Sequence, residues 1–145
     1  GYYGSEVSQA AIHQAANTSE PDITEVTMDA ALDSLGLSCT AWDESNPSVA
    51  DFIAWIQDAL RDGHPVICGM KIYPDEHPEW YVDHFVLAVG FDENGLILNT
   101  QLDCDGQLNI SYDELASIRL AERNYGYAFA DKQNRYFGRI IAGVR

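Results

Sequence analysis

Apolar residues recur at two different periods along the chain, and the change from one to the other divides it. In the first part they fall three and four apart. Val7, Ala11 and Ala15, with Ile12 and Ala16, predict an amphipathic helix from Ser5 to about Asn17. Ser5 and Glu6 suit its positive end, and Asn17 its close. Thr18 to Asp22 reads as a turn, Thr27 to Leu35 as a short helix stopped by Gly36, and Leu37 to Trp42 as a short extended piece. The strongest helical pattern follows Asn46-Pro47-Ser48. There Val49, Phe52, Ile53, Trp55, Ile56, Ala59 and Leu60 make one broad apolar face, capped by Ser48 or Asn46 and ended by Arg61-Asp62-Gly63.

From His64-Pro65 onward the pattern shortens to that of strands. Pro65 to Ile72 is a continuous apolar run, as expected of a buried strand, and Cys68 within it is read as core filler. Tyr73 to Val82, rich in prolines, acids and rings, is a surface loop. Phe85 to Val89 and Leu96 to Leu98 are apolar segments on either side of Asn94-Gly95, the strongest short hairpin signal in the chain. Leu102 to Gly106 is a turn: it has part of the Asp-x-Asp-Gly pattern of a calcium loop, but Gln101 and Tyr112 stand where ligands are needed. Gln107 to Ser111 alternates like a half-exposed strand, Ser111 to Ser117 is a capped helical turn, and Gly126 to Ala130 and Tyr136 to Val144 are strand-like. Helices first, then strands joined by short turns, predict an α+β fold with an antiparallel sheet packed against helices.

The central hairpin carries the candidate chemistry. A turn between its strands is expected to bring His84 and Asn99 to matching ends, where an amide holds one imidazole nitrogen and leaves the other free. As plain structure, the two residues begin one strand and end another.

Composition narrows the classes. A chain of 145 residues with 46% hydrophobic residues is expected to form one domain, residues 1–145, with a core of its own. No apolar run is long enough for a membrane span and no signal peptide is read, so membrane insertion is not expected and no compartment is assigned. The start at Gly1-Tyr2-Tyr3, without methionine, is that expected where a leader or a neighbouring domain has been removed or the chain has been cut at a chosen boundary. With 23 acidic and 8 basic residues the formal net charge is −15, which repels phosphate backbones. Nucleic acid is therefore not an expected partner, whereas cationic peptides are compatible. Cys39, Cys68 and Cys104 are odd in number and lack a C-x-x-C pair, so neither a zinc site nor a disulfide framework is indicated. Asp75, Glu76, His77 and Glu79 are crowded but include one histidine, too little for a metal centre. No cofactor is expected.

The order of elements resembles the papain-like cysteine peptidases, and most the bacterial double-glycine leader (bacteriocin-processing) peptidases. In those domains a Cys-Gly-Pro-Ala-Ser motif opens the first helix. A later strand begins His-Phe-Val-Val, and a glycine-turned hairpin leads to the Asp or Asn of the triad. Here His84-Phe85-Val86-Leu87-Ala88-Val89-Gly90, Asn94-Gly95 and Leu96-Ile97-Leu98-Asn99 are similar to the second half of that pattern. Pro65-Val66-Ile67 after a glycine and Ser111-Tyr112-Asp113-Glu114-Leu115 after the hairpin match it as well.

The resemblance implies a papain-like fold, N-terminal helices packed against a C-terminal antiparallel sheet, and a thiol peptidase or amidase acting on peptides. His84 would then be the base and Asn99 its orienter. At the nucleophile the chain departs: Gly4-Ser5-Glu6-Val7-Ser8 aligns with the motif and puts Gly4 where the cysteine belongs, by natural loss or by engineering. The oxyanion-donating glutamine of that family would precede Gly1. Ser5 is a helix cap or, under an alignment shifted by one, the nucleophile. Tyr3, Ser5, Trp80 and Tyr81, with Tyr2, are the candidate substrate contacts; as plain structure Tyr3 is a packing residue. Two functions follow from the resemblance, a peptidase-like domain inactive for want of its thiol or a non-catalytic peptide- or protein-binding module using the same cleft. An acyltransferase on the same scaffold is the third.

Overall fold

The computed structural model describes residues 8–19, 23–73, 76–100, 105–119, 126–131 and 134–145. Its contacts divide the chain into two compact units, residues 1–40 with 141–145, and residues 41–140.

The smaller unit holds α1 (Gln9–Ala15), α2 (Glu25–Ser34), most of β1 (Leu37–Ala41) and the end of the last strand. Ser8 caps α1, its Oγ accepting from Ala11 N at 3.1 Å; the predicted cap Ser5 lies outside the described residues. α2 begins earlier than its apolar spacing predicts, because Thr27 Oγ1 accepts from Thr24 N at 2.9 Å and extends the first turn backward. Gly36, at φ +71°, ends α2 as expected. Arg145 returns to this end, donating from N to Gly36 O and from its guanidinium to Asp33, each at 2.7 Å.

The larger unit is built on α3 (Val49–Arg61) and the strands β2 (Val66–Met70), β3 (His84–Phe91), β4 (Gly95–Asn99), β5 (Gln107–Ser111) and the start of β8 (Gly138–Val144). A short α4 (Tyr112–Ala116) and a two-stranded parallel pair, β6 (Ile118–Arg119) with β7 (Ala130–Asp131), complete it. Within this unit the sheet order is β8-β2-β3-β4-β5, with antiparallel neighbours, which gives the mixed helix and antiparallel-sheet class expected from the pattern.

Ser48 caps α3, accepting from Asp51 N at 3.1 Å, while Asn46 accepts from Ser48 N at 2.9 Å, so both candidate residues shape this helix start. The broad apolar face predicted for α3 is the one it buries. Phe52, Ile53, Ile56 and Ala59 form one cluster with Val66, Cys68 and Met70 of β2, Val86 and Ala88 of β3, Leu96 and Leu98 of β4 and Ile110 of β5. Burial of each large side chain stabilises by about 1.5–3 kcal/mol.

Two details of the hairpin bear on the site. Its turn is centred on Glu93-Asn94 and not on Asn94-Gly95: Asp92 N donates to Gly95 O at 3.0 Å, and Asp92 Oδ1 accepts from Asn94 N at 2.8 Å and Gly95 N at 3.0 Å. Gly95 has entered β4, opposite Ser111 of β5, where the backbones come too close for a Cβ. A bulge then interrupts β3 between Ala88 and Gly90, so that Phe91 pairs with Leu96 but Leu87 pairs with Asn99.

The stretch Gly126–Phe129, expected as a strand, is buried, and only Ala130 and Asp131 pair in a ladder. Its middle is instead fixed by single bonds, Lys71 N to Ala128 O and Phe129 N to Leu115 O, each 2.8 Å. Leu102 to Cys104, most of the calcium-like turn, lies outside the described residues. Among those residues no helix is long and apolar enough to cross a membrane.

Candidate active site

His84 opens β3 opposite Met70 of β2. Strand alternation gives it the same face as the buried Val86 and Ala88, the face that packs on α3. On β4 that face carries Leu96 and Leu98, and Thr100, just beyond the strand, continues it. His84 Nε2 and Thr100 Oγ1 are 2.8 Å apart. Thr100 Oγ1 lies 3.4 Å from Tyr127 OH, and the Tyr127 ring meets the imidazole edge-on with centroids 6.4 Å apart. Tyr127 is itself positioned by α4, its N–H donating to Glu114 Oε1 at 3.0 Å.

Partial burial pushes the His84 pKa below its ordinary value, against the weaker opposing pull of the Asp83 charge. The Asp83 carboxylate accepts from Ile72 N and Tyr73 N, both at 2.8 Å, and so holds the chain leaving β2. Among the described residues Thr100 is the hydrogen-bond partner of His84.

Asn99 does not meet His84. It stands opposite Leu87, is exposed, and points to the other sheet face, where its Oδ1 accepts from Gln107 Nε2 at 2.8 Å. The expected His84–Asn99 pair is therefore replaced by His84–Thr100, because the β3 bulge shifts the register by one residue and so exchanges the faces. Thr100 and Tyr127 went unread in the sequence. For Thr100 the signal was present, since it continues the buried alternation of Leu96 and Leu98.

Trp80 and Tyr81 sit on the loop that leads into β3. Trp80 is 48% exposed and stacks on His77, centroids 3.9 Å apart. Tyr81 is buried, with the Arg135 guanidinium 3.7 Å over its ring and its hydroxyl 3.4 Å from Glu44 Oε1. Of the two, only Trp80 presents a broad surface to solvent. The loop is drawn in by Lys71, fully buried at the end of β2, whose Nζ donates to His77 O and, at 2.7 Å, to Trp80 O. Replacing Lys71 by methionine orphans both carbonyls. We expect Lys71→Met to lower stability by about 1–3 kcal/mol and to speed amide exchange of residues 76–80, both measurable by denaturation and exchange mass spectrometry.

Gly4, Tyr3 and Ser5, as well as Asp75, lie outside the described residues. Cys68 is fully buried on β2 and burial pushes its thiol well up, which makes it a poor nucleophile. Cys39 is exposed on β1. Among the described residues no group of three His, Cys, Asp or Glu side chains is gathered to hold a metal. Comparison of the chain with family models, with curated proteins and with solved structures gave no match.

Proposed function

We propose that this chain is a papain-like cysteine-peptidase-related domain without its nucleophile, and that it holds a peptide or protein segment without cleaving it. The observation that carries the reading is His84 itself. It is half-buried on the helix-covered face of an antiparallel sheet, with one nitrogen fixed by a buried hydroxyl and the other without a partner among the described residues. The second nitrogen of this half-buried ring has no protein partner among the described residues, which leaves it available to a ligand or a proton.

Binding is favoured over turnover by the same surroundings. The group at His84 Nε2 is a hydroxyl and not a carboxylate, and burial favours the neutral ring, so a charged imidazolium receives little support. The net charge of −15 and the exposed Trp80 suit a basic peptide with an aromatic or aliphatic contact.

Thiol chemistry tests the family reading. Gly4→Cys is expected to give a thiol that iodoacetamide labels at least 10-fold faster at pH 6.5 than an ordinary exposed cysteine, and His84→Ala in that background is expected to remove the advantage. Labelling at the ordinary rate, indifferent to His84, would overturn the peptidase relationship. Titration of basic peptides against Trp80 fluorescence tests the binding function, and no saturable change with any of them would overturn it.

A further inference from the structure

We infer that the turn His77-Pro78-Glu79-Trp80 is the seat of an arginine side chain of the bound segment, whose guanidinium lies on the open face of the Trp80 indole, with the carboxylates of the same turn as its charge partners. This rests on the reading of the chain as a binder of basic segments, and it adds which side chain of the segment is held and by what.

The turn is built to keep an aromatic ring outside. Trp80 N donates to His77 O at 3.0 Å, and Pro78 sets the backbone at the second position of the turn. The fully buried Lys71 ammonium donates to His77 O and, at 2.7 Å, to Trp80 O, so both ends of the turn are tied to one cation. Burying a charge is a costly way to fix a surface loop. The His77 imidazole then covers one face of the indole, with centroids 3.9 Å apart and planes within 12° of parallel. Trp80 nevertheless stays 48% exposed, which leaves the face turned away from His77 to solvent. A ring already held in place loses little freedom when a ligand settles on it.

An exposed ring by itself would accept any apolar side chain. Three observations favour a guanidinium. Tryptophan has the aromatic face most attractive to a cation. Other rings of this chain already take arginines in this way: Arg61 stands 5.0 Å over Phe91, Arg135 3.7 Å over Tyr81 and Arg139 4.2 Å over Phe137, whereas among the described residues no cation stands over Trp80. The third observation is charge. Glu76 and Glu79 are exposed on and beside the turn, and the chain as a whole carries −15, so a cationic segment is drawn in at range and met by carboxylates at contact. The cations of this neighbourhood are already engaged, Lys71 with the turn carbonyls and Arg135 with the Tyr81 ring. A planar, weakly hydrated guanidinium stacks on a ring more readily than an ammonium does, which selects arginine over lysine.

Calorimetric titration with a capped hexapeptide of alternating glycine and arginine, and with its citrulline counterpart, separates charge from shape. The arginine peptide is expected to bind the unmodified protein about 10-fold more tightly than the citrulline peptide. Trp80→Leu, which keeps an apolar surface but no ring, is expected to weaken the arginine peptide about 3- to 20-fold, and Trp80→Tyr to retain most of the affinity. A thermal scan shows that each variant is folded. Equal binding of the two peptides, or a folded Trp80→Leu protein that binds the arginine peptide as the parent does, overturns the proposal and leaves a peptide-binding function in place. Absence of binding by the arginine peptide also overturns it, whereas the binding function falls only if every other basic peptide fails as well.

Discussion

Phe52→Ala is expected to destabilise the protein by about 3–5 kcal/mol, the range for removing a fully buried phenylalanine. Phe52 is 0% exposed and serves as the hub of an aromatic cluster on α3: its ring lies 5.2 Å from Trp42, 5.9 Å from Trp55, 5.0 Å from Phe129 and 5.3 Å from Tyr136. Four rings, Trp55 on the same helix and three from other parts of the larger unit, therefore lose their common neighbour at once. They are large and rigid and cannot collapse into the space, so both the lost transfer energy and the cavity are felt. Guanidinium unfolding followed by tryptophan fluorescence measures the loss, and Trp42 and Trp55 also report the altered environment in the native baseline. Phe52→Leu, which leaves a smaller void, is expected to cost about 1–2 kcal/mol. Equal losses for the two variants would show that the cluster does not act as a hub.

Gly95→Ala is expected to cost about 2–4 kcal/mol although it adds a single methyl group. A Cβ at this position would stand 1.8 Å from Ile110 O and 2.8 Å from Ser111 Cα, atoms of the neighbouring backbone that no side-chain rotation can move. β4 and β5 would have to part over pairs that include Leu96–Ile110 and Leu98–Leu108, and the core side chains Leu96, Leu98 and Ile110 would shift with them. Thermal unfolding gives the loss in stability, and faster amide exchange confined to β4 and β5 locates it. A variant as stable as the parent would mean that the two strands have slack at their crossing.

Long periodic elements were legible in the sequence. The apolar face of α3 named its own buried residues, and the caps at Ser48 and Ser111 marked the helix starts, because side-chain oxygens within three residues of an unpaired amide act locally. Pairing between elements was less legible. Asn94-Gly95 located the hairpin, yet its glycine answers to the approach of β5 and not to the turn, so the turn centre lies one residue earlier. That fact depends on a strand twelve or more residues away and leaves no local trace. Lys71 was read as part of an apolar strand; its two carbonyl acceptors lie six and nine residues ahead in a loop without periodicity. His84 was legible as a candidate by its chemistry and Thr100 as a buried position by its alternation with Leu96 and Leu98, but not that the two share a face.

The reason lies in the bulge. Phe91 faces α3, with the Arg61 guanidinium 5.0 Å over its ring. Strict alternation back from Phe91 would give Val89, Leu87 and Phe85 that face, and would send His84 to the side where Asn99 stands. One extra residue between Ala88 and Gly90 reverses the count.

The identity of the surface that His84 serves is thus held by an irregularity of hydrogen bonding and by no side chain. A descendant of this chain that kept every residue around the imidazole but straightened β3 by pairing Val89 into the ladder would carry its histidine to the opposite face, away from Thr100 and Tyr127. Loss of this site would then leave no mark among the residues that compose it.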